Sequence, residues 1–135
     1  MRVFYDTNVL LSALLWRGEV YRVHRALVER GYTPVTSERV VREALEVIAR
    51  KFAMLDASSI ESAVREDWEV VPESRTAPST KLRDPDDEGG LADAESANVE
   101  LLLSGDRDLL DARKEIGTVA VLSAREFHQW YLAGT

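Results

Sequence analysis

Residues 2–10 read Arg2-Val3-Phe4-Tyr5-Asp6-Thr7-Asn8-Val9-Leu10, an apolar run that ends abruptly on an acid. So short a run of β-branched and aromatic residues predicts a buried strand, with Asp6 at its carboxyl end. In an open parallel α/β sheet that edge gathers ligands and chemistry, because the strand ends and the loops after them leave a crevice there. Thr7 and Asn8 can turn the chain and cap a helix that begins near Val9. Asp6 is then either a cap or part of a site, and the choice depends on whether other acids reach the same edge.

Further along, Val20, Val23, His24, Leu27 and Val28 keep helical spacing until Gly31 stops the helix. Tyr32 to Thr36 reads as a second strand, in which Pro34 must sit where no ladder donor is needed. Ser37 caps a helix from Glu38 to about Phe52 whose core positions are Val41, Ala44, Leu45, Ile48 and Phe52. Glu43 falls at the border of that apolar arc and can face a crevice, while Glu46 and Arg50 are expected to point further out. Asp56 opens another helix, and Trp68 to Val71 forms a short strand. A loop is expected from Pro72 to Asp86, long enough to be functional. It leads into Asp84-Pro85-Asp86-Asp87-Glu88, the densest acidic cluster of the chain. A helix with Leu91, Ala92 and Ala94 follows, then a buried strand, Glu100 to Ser104, that again ends in acids at Gly105-Asp106-Arg107-Asp108. Thr118 to Leu122 is a last strand, and Ser123 caps a closing helix with Phe127, Trp130 and Tyr131. Strands alternating with helices predict an α/β fold, a mainly parallel sheet of four to five strands with helices on both faces.

The chain has 135 residues, which suits a single domain over 1–135. It has no Cys, so disulfide and thiol chemistry are excluded and a reducing compartment is expected. No signal peptide pattern is visible, and the longest nearly apolar run, Val9 to Trp16, is far short of the roughly 20 residues that span a bilayer. The expectation is a cytoplasmic protein without a membrane partner. With 24 acids against 17 Lys and Arg the net charge is -7, which argues against a non-specific nucleic-acid coater. A nuclease remains open, because bound divalent cations invert the local field of a pocket of acids.

Asp6 and Asp106 each close a strand, Asp87 or Glu88 opens a helix, and Glu43 borders a helix core. Strand ends and the helix starts after them share one edge of a parallel sheet, so these acids can converge. Packed carboxylates repel one another unless cations are present, and hard oxygen ligands suit Mg²⁺ or Mn²⁺. Such ions activate a water and stabilise the leaving oxygen of a phosphodiester. His24 and His128 lack the context of a general base or zinc ligand, and no dinucleotide-binding, P-loop or EF-hand pattern is present. A phosphatase with Asp6 as nucleophile would want a second Asp two residues on, where the chain has Asn8.

Asp6-Thr7-Asn8-Val9-Leu10, Thr36-Ser37 with Glu43 in the next helix, Arg83-Asp84-Pro85-Asp86-Asp87, and Ser104-Gly105-Asp106-Arg107-Asp108-Leu109 together resemble the PIN-domain family. The likeness is closest to its branch of toxins from bacterial and archaeal toxin-antitoxin systems, and it covers essentially the whole chain. The resemblance implies a three-layer α/β/α sandwich, Mg²⁺- or Mn²⁺-dependent cleavage of RNA, frequent homodimers, and an antitoxin protein as partner. Carried over position by position, it makes Asp6, Glu43 and Asp106 catalytic metal ligands and places Glu88 at the third acid, where Asp87, which lines up with Leu91 and Ala94 on the helix, is preferred as the catalytic ligand; Glu88 stays a further metal ligand, and Asp108 and Asp93 are in reserve. Asn8 and Ser104 resemble the residues that support those acids. Position along the chain suggests Arg39, Arg42, Lys81, Arg83 and Arg107 as contacts to the RNA backbone. The chain departs from the family at Gly89-Gly90, where a basic and a large apolar residue are usual, and a pair of glycines weakens a helix start. The alternative reading is therefore a catalytically inactive PIN scaffold that binds RNA or a protein partner.

Overall fold

A computed structural model describes residues 1–133 and, within them, every side chain except that of Asp86. The chain runs β1 (Arg2–Tyr5), α1 (Thr7–Leu15), α2 (Glu19–Glu29), β2 (Thr33–Ser37), α3 (Glu38–Lys51), α4 (Ala57–Asp67), β3 (Glu69–Val71), α5 (Pro85–Ser96), β4 (Leu101–Leu103), α6 (Arg107–Asp111), β5 (Ala120–Leu122), α7 (Ala124–Phe127) and a π-helical turn, His128–Leu132. The five strands form one sheet in the order β3-β2-β1-β4-β5, and every pairing is parallel.

Consecutive strand residues point to opposite faces, and Val3, Phe4, Tyr5, Leu101, Leu102 and Leu103 are all buried. Both faces of the centre of the sheet are therefore covered, as in a three-layer α/β/α sandwich. The register Phe4↔Leu102 and Leu103↔Leu122 aligns the strand ends. The ladder continues one step further through Asp6 N to Leu103 O and Ser104 N to Leu122 O. Pro34 is tolerated in β2 because β3 pairs only from Val35 onward. Gly31, at φ 82°, supplies the left-handed residue after α2.

The strand order decides where a site can form. The chain first builds outward from β1 through β2 to β3, then returns to the other side of β1 with β4 and β5. The switch point lies between β1 and β4, and the crevice of an open α/β sheet opens at the carboxyl ends of those two strands. Asp6 follows β1 and Asp106 lies just beyond β4.

Two expectations need correction. The loop after β3 is shorter than Pro72 to Asp86, because α5 already begins at Pro85, whose locked φ and missing N–H suit the first helical position. Gly89 and Gly90 accordingly lie inside the helix rather than at its opening. The closing helix changes to a π-helical turn, with Ala133 N donating to His128 O, which stacks Tyr131 on Phe127 and leaves Trp130 60% exposed. No helix of the described residues is long and apolar enough to cross a membrane.

Candidate active site

A cleft of about 380 Å³ opens at the switch point and is lined by Asp6, Asn8, Glu43, Glu46, Arg50, Asp87 and Asp106, among others. Local rules account for two of its acids. Asp6 is the cap of α1, accepting from Val9 N at 2.9 Å, and Asp106 is the cap of α6, accepting from Asp108 N at 2.8 Å and Leu109 N at 3.3 Å. Each therefore caps a helix with one oxygen and also lines the cleft.

Ser104 ties these acids together. Its Oγ accepts from Asp106 N at 2.9 Å, and its hydroxyl also serves the Asp6 carboxylate. Glu43 is held from α1, where the Thr7 hydroxyl donates to Glu43 Oε2 at 2.8 Å. That role of Thr7 went unread in the sequence; its only signal is a hydroxyl directly after a strand-end acid. Asn8 lies at the cleft with its side chain exposed.

Around the third acid the structure separates the candidates. Asp87 lines the cleft beside the Asp106 carboxylate, and its buried Oδ2 meets no hydrogen-bond donor among the described residues. Glu88 turns the other way and accepts from Leu82 N at 2.8 Å. Asp93 is wholly buried, accepting from Ser37 Oγ at 2.7 Å, Arg39 Nε at 3.1 Å and the Ser74 amide. Asp93 thus joins α5 to the start of α3 and to the loop after β3. Asp108 stands beside the cleft, where carboxylate oxygens of Asp84, Asp87 and Asp108 come within 4.8 Å of one another.

The proposed RNA contacts are also separated. Arg39 is committed to Asp93 and to Ser74 O, and Arg42 pairs with Glu73 at 2.9 Å. Arg83 is exposed, 3.9 Å from Asp108, and Arg107 is exposed at the first position of α6. Lys81 is exposed on the loop before α5. None of these lines the cleft. Glu46 and Arg50, expected to point away, do line it. The reason is spacing: positions 43, 46, 47 and 50 form one i, i+3, i+4, i+7 stripe of α3, so a helix that turns Glu43 inward turns Arg50 to the same side.

Burial raises the Asp6 carboxyl to about 6, against the hydrogen bonds from Ser104 and Val9, and the Asp106 charge adds to the rise. Burial, then the neighbouring carboxylates of Asp106 and Asp84, push Asp87 up to about 7. Carboxyls so placed gain from a cation that neutralises them. An all-oxygen donor set, in which the Asp87 carboxyl stands against the Asp106 carboxylate and its Oδ2 meets no hydrogen-bond donor among the described residues, fits a hard divalent ion of the Mg²⁺ or Mn²⁺ type.

No curated protein matches the chain. Among solved structures, a chain of the VapBC2 complex from Rickettsia felis, crystallised bound to a DNA fragment from its promoter, superposes with a TM-score of 0.68 at 13% identity, covering 91% of this chain and 98% of that one. A PilT N-terminus domain protein from Sulfolobus solfataricus superposes with a TM-score of 0.61 at 20% identity, covering 100% and 97%. At such identities the likeness is one of fold. The family model described as PIN domain matches residues 2–108, from the strand that carries Asp6 to the helix capped by Asp106, and the chain belongs to the PIN-domain family.

Proposed function

We propose that this PIN domain is a divalent-metal-dependent ribonuclease, with Asp6, Glu43, Asp87 and Asp106 as the ligands of Mg²⁺ or Mn²⁺. The observation that carries the reading is the cleft at the switch point, lined by those four acids, with a buried Asp87 oxygen that meets no hydrogen-bond donor among the described residues. When bound, the cation supplies an activated water, in-line orientation and charge neutralisation at the leaving oxygen. The protein's own part is positional. Ser104 holds Asp6 and Asp106 in one arrangement, Thr7 fixes the rotamer of Glu43, and the two helix caps remove freedom from the acids that would otherwise have to be ordered on binding. Asn8, at the rim, is a supporting polar group.

The family and the fold shared with a VapBC2 chain support a further assignment, the toxin of a toxin-antitoxin pair: a cytoplasmic homodimer neutralised by an antitoxin protein that covers this cleft. The test is cleavage of RNA by purified protein in Mg²⁺ or Mn²⁺, compared with Asp6→Asn. Cleavage that needs the metal and disappears in the variant supports the reading. Cleavage that persists in Asp6→Asn, or no cleavage of any RNA by the wild type, overturns it.

A further inference from the structure

Arg50 is the one basic residue among those lining the cleft, which it shares with five acids. The chain's other well-placed arginines are committed elsewhere: Arg39 to Asp93, Arg42 to Glu73, Arg65 to Glu38 and Glu61, Arg113 to Glu126. Arg50 has no ion pair or hydrogen bond among the described residues. Its guanidinium is therefore available to a ligand, with no internal bond to break first.

Its place on α3 indicates which ligand. Arg50 lies seven residues beyond Glu43 on the same stripe, about 10 Å along the helix at 1.5 Å per residue. A group held there is not the one held between the acids. A planar fork of donors in the same cleft as a carboxylate cluster suited to cations matches a backbone phosphate that neighbours the cleaved linkage on the same strand.

We propose that Arg50 is a positioning residue that binds a backbone phosphate flanking the scissile one on the strand held in the cleft. This rests on the ribonuclease reading for the identity of the strand, and the experiment separates the two. Fluorescence anisotropy of a labelled single-stranded RNA is followed with wild type, Arg50→Ala, Arg50→Lys and Arg22→Ala over a range of salt, with Ca²⁺ in place of Mg²⁺ or Mn²⁺ to hold off cleavage. Cleavage in Mn²⁺ is followed in parallel. Arg22 lies on α2 outside the cleft, so its variant removes the same charge without the contact.

The expected result is about tenfold weaker binding by Arg50→Ala, the scale of one charge-assisted hydrogen bond. Its slope of log affinity on log salt should be shallower by about 0.7. Arg50→Lys should recover part of the loss, and Arg22→Ala should bind like wild type. Arg50→Ala that binds like wild type with the same slope overturns the proposal, as does Arg22→Ala losing as much, or wild type binding no strand. Wild type that binds the strand but cuts no RNA of any kind in Mn²⁺ defeats the ribonuclease reading, and the binding comparison still decides the role of Arg50.

Discussion

The two adjacent glycines of α5 should respond in opposite directions to the same substitution. A Cβ at Gly89 would come within 2.6 Å of Arg39 Cδ and 2.7 Å of Arg39 Nε, whereas a Cβ at Gly90 meets nothing within 4 Å. The Arg39 side chain cannot simply move aside, because it crosses Gly89 to reach Asp93, which is wholly buried, and Ser74 O beyond it. In Gly89→Ala the guanidinium must leave. Asp93 then keeps only the Ser37 hydroxyl and the Ser74 amide. Stripping a buried charge of its partner costs about 3–5 kcal/mol, and the lower end applies here because Arg39 is partly exposed and two hydrogen bonds to Asp93 remain. Replacing Gly by Ala inside a helix returns roughly 0.5–1 kcal/mol. The net expectation is that Gly89→Ala destabilises by about 2 kcal/mol and Gly90→Ala stabilises by about 0.5–1 kcal/mol, both read from urea unfolding midpoints at constant m. Arg39→Ala should lose about 3 kcal/mol, and the double variant about 2 kcal/mol, no more than Gly89→Ala, since both remove one interaction and only the glycine replacement returns the helix gain. Equal stabilities for the two glycine variants, or an additive double variant, would refute the argument that Gly89 exists to let Arg39 through.

Ser104→Ala removes the hydroxyl that links Asp6 to Asp106 and should weaken Mn²⁺ binding by about 10–100-fold in calorimetric titration; unchanged affinity would mean that the caps alone orient the acids. A pH dependence follows from Asp87, whose folded value near 7 lies above its ordinary 3.8. The folded state holds that proton longer than the unfolded state, so the contribution to stability falls as pH rises from about 4 to about 7 and is flat above. In chelator, Asp87→Asn should therefore be more stable than wild type at pH 8 by about 1–2 kcal/mol, a figure reduced for solvent screening, with the difference vanishing near pH 4. Thermal unfolding at the two pH values checks this, and added Mn²⁺ should reverse the order by stabilising wild type alone.

Much of the fold is legible in the chain because its signals are local. The runs at Val3 to Tyr5 and Leu101 to Leu103 are uniformly apolar, as strands covered on both faces must be, and the polar residues that follow cap helices by rules that act within three residues. Asp6 and Asp106 could be placed at one edge by the same logic, since every strand of a parallel sheet ends on the same side. The helix face of Arg50 was also present in its spacing from Glu43, although an exposed arginine does not reveal that a cleft lies against it.

What the chain by itself determined was a parallel α/β alternation with acids at the ends of the first and fourth strands, because strand pattern, helix caps and strand polarity depend only on near neighbours. Only the tertiary structure distinguishes the surroundings of Asp87, Glu88 and Asp93, which lie within seven residues on one helix and differ in what stands opposite them. Asp93 meets Ser37, Arg39 and Ser74 from distant parts of the chain, Glu88 meets the Leu82 amide, and Asp87 meets the cleft. A side chain's partners across a fold are set by how the layers pack, and that information is not contained in the spacing of the acids along α5.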